Sequence, residues 1–119
     1  MQMKDFSAHG FLRVAAVTPQ VSIGDPHSNA ENMLSQIKLL AEQQVAVAVL
    51  PELSLSGYSA EDLFFTDKLL ADCRLALATL AQQQTLPLCA VGLPWRLPDG
   101  RLLNCCLLYT SDAADDLGR

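Results

Sequence analysis

"VAVAVLPE", residues 45–52, is the stretch of sequence from which the fold class is predicted most directly. Its first six residues are nearly all β-branched or small and apolar, with no polar residue among them. A strand without polar alternation is typical of a largely parallel sheet that is covered on both faces. Pro51 ends the run, and Glu52 follows at once. We therefore expect a buried strand that presents one carboxylate at its carboxyl end.

A strand and a helix are predicted before this central strand. Residues 11–17 are mostly apolar and predict a strand, and residues 29–44 predict a helix. Ser28 followed by Glu31 fits a capping box at the start of this helix. Apolar residues at helical spacing then predict its inner face, namely Met33, Ile37, Leu40 and Ala41.

A second helix and two more strands are predicted after the central strand. Residues 53–65 predict a loop with a short helical turn at 60–64, and Thr66 or Asp67 can cap a helix that runs to about residue 84. The inner face of this helix is predicted to consist of Leu69, Leu70, Cys73, Leu77 and Leu80. A strand at 88–94 and a Pro-Asp-Gly turn at 98–100 predict a hairpin. The order β-α-β-α-β-β predicts the α/β class with a largely parallel sheet.

Composition limits the classes of partner. The chain has 119 residues, half of them apolar, and a formal net charge of −5, as expected for one small globular domain. It has no basic patch, so we do not expect a nucleic-acid partner. No apolar run approaches the roughly 20 residues of a membrane helix, and the first ten residues lack a signal-peptide core. We therefore expect a cytoplasmic protein with no membrane partner.

The four cysteines do not form a recognisable metal or disulfide pattern. They show no CxxC spacing, and two of them are adjacent: Cys73, Cys89, Cys105 and Cys106. We expect buried, reduced thiols, and we predict no metal site.

The last residues look foreign to the rest of the chain. "CLLYTSDAADD", residues 106–116, resembles the conceptual translation of a common transposase sequencing adapter. We therefore expect residues 1–105 to be native and residues 106–119 to be an adapter-derived tail, although residues 107–109 can still pair as a strand. On this interpretation the chain is the front fragment of a longer protein. A natural acidic tail is the alternative.

Glu52 is the candidate catalytic residue. Sites in open α/β sheets lie beyond the carboxyl ends of the strands, which is where Glu52 is predicted to be. A carboxylate held against apolar neighbours has a raised pKa, which suits a general base near neutral pH. Pro51 restricts the backbone before it, and Gly57 permits a turn after it. The alternative is an ordinary solvated glutamate at a strand end.

Two longer segments carry a family resemblance. "VAVAVLPELSLSGYSAEDLF", residues 45–64, resembles the glutamate motif of the nitrilase (carbon–nitrogen hydrolase) superfamily. "HGFLRVAAVTPQVSIGDPHSNAENM", residues 9–33, and the "SGYSAEDL" extension are similar to the N-terminal glutaminase domains of glutamine-dependent NAD+ synthetases. The resemblance covers about residues 8–105. It implies part of a nitrilase-type α-β-β-α sandwich.

The resemblance also implies a reaction and its site residues. The family hydrolyses amides with a Glu-Lys-Cys triad, and the position of Glu52 in the motif implies that it is the general base. Tyr58, in the loop that follows, is implied to line the substrate pocket; the alternative is a tyrosine packed under the loop. The family's lysine and cysteine lie beyond the point where this chain stops, so we expect the chain alone to be inactive. Its exposed sheet edge is expected to promote aggregation.

The parent protein implied by the resemblance has further components. Glutamine is its implied substrate, and a separate synthetase domain uses ATP and Mg²⁺ to amidate nicotinic acid adenine dinucleotide. No cofactor is expected in this chain, because Gly92 and Gly100 are isolated and form no phosphate-binding loop. The parent is expected to be a homo-oligomer.

Two other functions fit parts of the sequence. A stand-alone nitrilase-superfamily amidase would share Glu52 but would lack the synthetase half. A non-catalytic flavodoxin-like binding module would account for the β-α-β pattern, but a receiver-type module needs an acidic cluster at its strand ends and only Glu52 is present.

Overall fold

The computed structural model describes residues 9–110 of the chain. Its elements follow the predicted order, and the predicted α/β fold class is confirmed. A 3-10 helix covers Glu61–Phe65, one residue later than the predicted helical turn. The strands and α-helices are β1 (Val14–Ala16), α1 (Pro26–Glu42), β2 (Val47–Val49), α2 (Asp67–Gln83), β3 (Leu88–Arg96) and β4 (Leu102–Thr110).

The four strands form one mixed sheet in the order β1-β2-β3-β4. β1, β2 and β3 are parallel, and β4 returns antiparallel to β3. The predicted hairpin turn is present, since the Gly100 amide donates to the Leu97 carbonyl oxygen at 2.9 Å. β3 extends two residues past the predicted end at 94, because Arg96 pairs with Leu102 across the hairpin.

Both helices pack on the same face of the sheet, which we call the helix-covered face. Alternate strand residues point into this core, and Ala48, Cys89, Val91 and Leu93 are fully buried there. Of the predicted inner residues of α1 and α2, all but Leu70 join the same cluster or pack against it: Met33, Ile37, Leu40, Ala41, Leu69, Cys73, Leu77 and Leu80. Leu70 is buried but lies outside this cluster. The predicted helix faces are thus confirmed.

The other side of the sheet, which we call the open face, carries the alternate residues of the same strands. It is apolar but uncovered among residues 9–110, with Val14, Val49 and Leu108 being 66%, 48% and 65% exposed. The expectation that residues 45–50 are covered on both faces is therefore wrong for this part of the chain. The physical reason is that the two helices described lie on one side.

Two local predictions about α1 and β1 need correction. α1 begins earlier than predicted because Pro26 occupies its first turn, and Asp25 is the N-cap, its carboxylate accepting from the Ser28 amide at 3.2 Å. The capping box of Ser28 and Glu31 is therefore wrong. Two hydrogen bonds from Ser28 lower the pKa of Asp25; the one from the Ser28 side chain has the larger effect and the one from its backbone the smaller.

β1 begins only at Val14, since its partner β2 is three residues long.

The N-cap of α2 agrees with the prediction. The Thr66 hydroxyl oxygen accepts a hydrogen bond from the Leu69 amide. A side-chain oxygen at this position satisfies one of the free amides of the first turn.

The thiols differ according to the face they occupy. Cys73 and Cys89 are buried on the helix-covered side; burial raises the pKa of Cys73 to about 12 and also raises the pKa of Cys89. Cys105 is half-buried and Cys106 is exposed on the open face, so the prediction of four buried thiols is wrong for Cys106.

Part of the predicted foreign tail takes part in the sheet. Residues 107–109 belong to β4, where Leu107 pairs with Val91 and Tyr109 with Cys89. Tyr109 is buried, and burial raises its pKa. Residues 111–119 lie outside the described residues, and the division of the chain at residue 105 stays a prediction. Within residues 9–110, no helix is both long enough and apolar enough to cross a membrane.

Candidate active site

Glu52 lies just past the carboxyl end of β2, as the sequence predicts. The Leu50 amide still donates to the Ala90 carbonyl oxygen at 2.9 Å, which carries the chain along β3 beyond the last residue of β2. Pro51 and Glu52 then turn away from the ladder. The carboxylate is thereby placed at the edge of the sheet where α/β proteins have their sites.

The turn that carries Glu52 is held by backbone hydrogen bonds at both ends. The Ser54 amide donates to the Pro51 carbonyl oxygen at 3.2 Å, and the Leu55 amide donates to the Gly92 carbonyl oxygen on β3 at 3.1 Å. Leu53 has a φ of 51°, which is costly for a residue with a side chain. Packing offsets that cost, because both Leu53 and Leu55 are buried.

Gly92 makes this close approach possible. A Cβ atom at residue 92 would lie 2.5 Å from the Leu53 amide nitrogen and 2.7 Å from the Pro51 carbonyl oxygen. Any side chain there would push the Glu52 turn off β3. Sequence reasoning identifies Gly92 only as a glycine without a phosphate loop. The signal that could have identified its role is a glycine inside a strand, which often marks a close backbone approach.

A buried asparagine ties the same loop to the segment before α1. The Asn29 side-chain amide is buried and donates to the carbonyl oxygens of Leu55 at 2.8 Å and Ser22 at 2.9 Å. Its own oxygen accepts from the Ser22 amide at 2.7 Å. Gly24 adds a backbone link, donating to the Ser56 carbonyl oxygen at 2.8 Å. The sequence does not predict this support for the Glu52 loop, because it joins residues far apart in the chain.

The Glu52 side chain is exposed on the open face of the sheet. Its Oε1 accepts a hydrogen bond from the side-chain Nδ2 of Asn104 on β4. The two residues border a shallow pocket of about 340 Å³, whose lining also includes Gly92 and Cys106. The expectation that apolar neighbours desolvate Glu52 is wrong for residues 9–110, since the face on which it lies is uncovered.

Residues 13–116 match the carbon–nitrogen hydrolase family. The chain belongs to the carbon–nitrogen hydrolase family. The match confirms the predicted superfamily and includes the strand and turn that carry Glu52. It also runs through part of the predicted foreign tail.

More specific likeness points to one group of these carbon–nitrogen hydrolases. A glutamine-dependent NAD(+) synthetase of Mycobacterium tuberculosis is 44% identical over 90 residues, which are 74% of this chain and 13% of that protein. The crystal structure of a glutamine-dependent NAD(+) synthetase from Cytophaga hutchinsonii superposes with a TM-score of 0.78 at 29% identity, over 84% of this chain and 17% of that one. The chain thus spans a small N-terminal share of the relatives that it matches.

The hydrolase fold is also shared with smaller enzymes. An amidase from Nesterenkonia sp. superposes with a TM-score of 0.70 at 19% identity, over 84% of this chain and 38% of that one. Likeness at this level of identity concerns the fold alone.

Tyr58 lies apart from the pocket of this hydrolase domain. Its side chain is 68% exposed, and it is not part of the lining around Glu52. The alternative of a tyrosine packed under the loop is therefore wrong. A role for Tyr58 at a substrate pocket stays a prediction.

A second and larger cavity lies at the opposite end of the parallel strands. It measures about 490 Å³ and is lined mostly by apolar residues, among them Phe11, Val47 and Leu88. Its described lining carries no carboxylate, thiol or imidazole. Among residues 9–110, no three His, Cys, Asp or Glu side chains are grouped so that they could hold a metal ion.

Proposed function

We propose that this chain contributes the general base of a glutaminase domain that supplies ammonia for NAD+ synthesis. The observation that carries the proposal is the position of Glu52, in the family motif, at the strand end and beside a pocket. The 44% identity to a glutamine-dependent NAD(+) synthetase supports glutamine as the substrate.

In the proposed mechanism Glu52 moves protons for a cysteine nucleophile. The carboxylate takes the thiol proton, the sulfur attacks the glutamine carboxamide carbon, and ammonia leaves with that proton as a thioester forms. Glu52 then takes a proton from water while the water oxygen attacks the thioester carbon. The carbon–sulfur bond breaks to release glutamate, and Glu52 returns the proton to the sulfur, which restores the thiol. A positioned carboxylate can serve both steps because it is protonated and deprotonated in turn.

We place the nucleophile outside the residues described here. Cys73 and Cys89 are buried on the helix-covered side, away from the pocket of Glu52. Cys105 and Cys106 do line that pocket, but both lie within β4, whereas the nucleophile of this family follows a later strand. The described pocket lining includes no lysine, and the family triad needs one. We therefore expect the 119-residue chain alone to release no ammonia from glutamine.

The open face also has a place in the proposal. We propose that further strands of the family's sandwich cover open-face residues such as Val14 and Val49 in the complete protein. Covering this apolar surface would be favourable by the hydrophobic effect. It would also enclose Glu52, which supplies the desolvation that the sequence argument requires.

ATP, Mg²⁺ and the dinucleotide are assigned to a domain outside this chain. In the described part of the chain, residues 9–110, no three His, Cys, Asp or Glu side chains are grouped so that they could hold a metal ion. A cytoplasmic location fits the free cysteines, since disulfides are rare in reducing compartments. We also propose that the full-length enzyme is a homo-oligomer.

The test compares full-length enzyme with its Glu52→Gln variant. The complete coding sequence is expressed, and NAD+ formation is measured with either glutamine or ammonium as the nitrogen source. We expect Glu52→Gln to lower the glutamine-dependent rate by about 10² to 10⁴-fold, the usual contribution of a general base. The ammonium-dependent rate should stay unchanged.

Glu31→Gln is the matched control. Glu31 is an exposed glutamate on α1 whose side chain pairs with His27, so this variant should keep both rates. A glutamine-dependent rate of the Glu52→Gln variant equal to that of the wild type would refute the general-base assignment.

A stand-alone amidase is the second candidate, because the match to the carbon–nitrogen hydrolase family requires no synthetase domain. The same experiment separates the two functions. Ammonia release from glutamine without any NAD+ formation would select the amidase.

A further inference from the structure

We propose that Asn104 is a positioning residue for the general base, acting through its side-chain hydrogen bond to Glu52. The inference rests on the proposed function, because it assigns Asn104 a part in the same reaction. The two residues are 52 positions apart in the chain: Asn104 lies on β4, whereas Glu52 lies in the turn that follows β2.

The sheet explains how a residue on β4 reaches one that follows β2. β3 lies between these two strands, and Asn104 pairs with Pro94 of β3. The Glu52 turn lies directly over the backbone of Gly92, where a side chain would collide with it. The missing side chain of Gly92 therefore lets the carboxylate cross β3 and meet Asn104.

The orientation of Asn104 is set by the alternation of β4. Asn104, Cys106 and Leu108 share one face of the strand, and this is the open face on which Leu108 and Cys106 are exposed. Asn104 points to the same side as the Glu52 carboxylate. Among the described residues that line the pocket, it alone carries a side-chain N–H donor.

The chemistry of this contact suits a base that must pick up and return a proton. An ionised carboxylate only accepts hydrogen bonds, so the asparagine presents its NH₂ group. The bond occupies Oε1 and leaves Oε2 available to receive the proton. The donor is uncharged, so it fixes the rotamer without the strong attraction of a lysine or arginine.

The test uses the full-length enzyme with Asn104→Ala and Asn104→Asp. We expect Asn104→Ala to lower kcat for glutamine hydrolysis by about 10 to 100-fold, because a small misplacement of a reacting group has an effect of this size. KM for glutamine should change by less than about threefold, because the contact is made to the base and not to the substrate. The unfolding temperature and the ammonium-dependent rate serve as checks that the variant is folded.

Asn104→Asp provides a measurement, the pH profile of kcat, that should not shift if Asn104 only stabilises the fold. The new carboxylate repels a negative charge on its neighbour, so the acidic limb of the pH profile of kcat should move to higher pH. Asn32→Ala is the matched control: Asn32 is an exposed asparagine on α1 whose amide donates to the Gln20 carbonyl oxygen at 3.3 Å. This control should keep both kcat and the pH profile.

The outcomes separate the two proposals. A wild-type enzyme that releases no ammonia from glutamine overturns the proposed function, and the role of Asn104 with it. An active wild type whose Asn104→Ala variant keeps its kcat, or whose Asn104→Asp variant keeps the pH profile, overturns the positioning role alone.

Discussion

The two faces of the sheet are built from alternate residues of the same strands, yet they have different surroundings. On the helix-covered face Val91 and Leu93 are completely buried, whereas Leu108 on the open face is 65% exposed. Both faces are apolar, so composition does not distinguish them. The alternation of side chains along a strand therefore specifies which residues share a face, whereas the elements that cover each face lie far away in the chain.

The candidate site belongs to the open face. Glu52 and Asn104 meet there, next to the exposed thiol of Cys106. On the helix-covered face, the thiols of Cys73 and Cys89 are buried in the core. The packed core and the candidate site therefore lie on opposite faces of one sheet.

The largest effect on stability should come from removing apolar volume on the helix-covered face. In the 119-residue chain we expect Leu93→Ala to lower the free energy of unfolding by about 2–5 kcal/mol, because it leaves a cavity in the packed core. Leu108→Ala on the open face should change it by less than about 0.5 kcal/mol. Urea unfolding monitored by circular dichroism measures both values.

In the full-length protein, Val49 tests the cover of the open face, because residue 49 lies before the predicted foreign tail. If further strands cover this face, Val49→Ala should there lower the free energy of unfolding by about 1–3 kcal/mol. Equal losses for Leu93→Ala and Leu108→Ala already in the 119-residue chain would contradict the distinction between the faces.

An intermediate effect is expected at Gly92, where the Glu52 turn crosses β3. Gly92→Ala should lower the free energy of unfolding by about 1–3 kcal/mol, because its Cβ would collide with that turn. In the full-length enzyme it should also lower glutamine-dependent activity, since the turn must shift.

Gly100→Ala is the companion variant. Gly100 has a φ of 92°, and the position that a Cβ would take there has no other atom within 4 Å. Alanine should therefore cost about 1–2 kcal/mol from backbone strain alone, and it should leave activity intact. Equal losses of activity in both variants would mean that Gly92 acts only through stability.

The smallest effect is expected at the N-cap of α1, on the helix-covered side. Asp25→Ala should lower the unfolding temperature at neutral pH, since the carboxylate accepts from the Ser28 amide. Glu31→Gln should have no comparable effect, although the sequence pattern suggests Glu31 as part of the cap. Thermal unfolding of the two variants decides between the structure and the capping-box hypothesis.

The Asp25 contribution also has a defined pH dependence. Its folded-state pKa lies below the ordinary value of 3.8, so its stabilisation is present above pH 3.8. It is lost as the pH falls through the lower folded-state pKa, because the carboxyl group is then protonated in both states. The difference between wild type and Asp25→Ala should therefore shrink in acid.

Local physics made much of the fold predictable. The helix faces followed from the 3.6-residue spacing of apolar residues, the start of α2 from the Thr66 cap, and the hairpin from its Pro-Asp-Gly turn. Each depends on neighbours in the chain. The capping box failed for the same kind of reason, because Asp25 and Pro26 offered a better local start three residues earlier.

By itself, the sequence determined the order of elements, the inner faces of the helices and the placement of Glu52 at a strand end. Only the tertiary structure decided that the helices cover one face, that Gly92 admits the Glu52 turn, and that Asn104 reaches the carboxylate. These features join segments up to 52 residues apart. Such contacts depend on how distant strands are set side by side, and no local spacing of residue types encodes that arrangement.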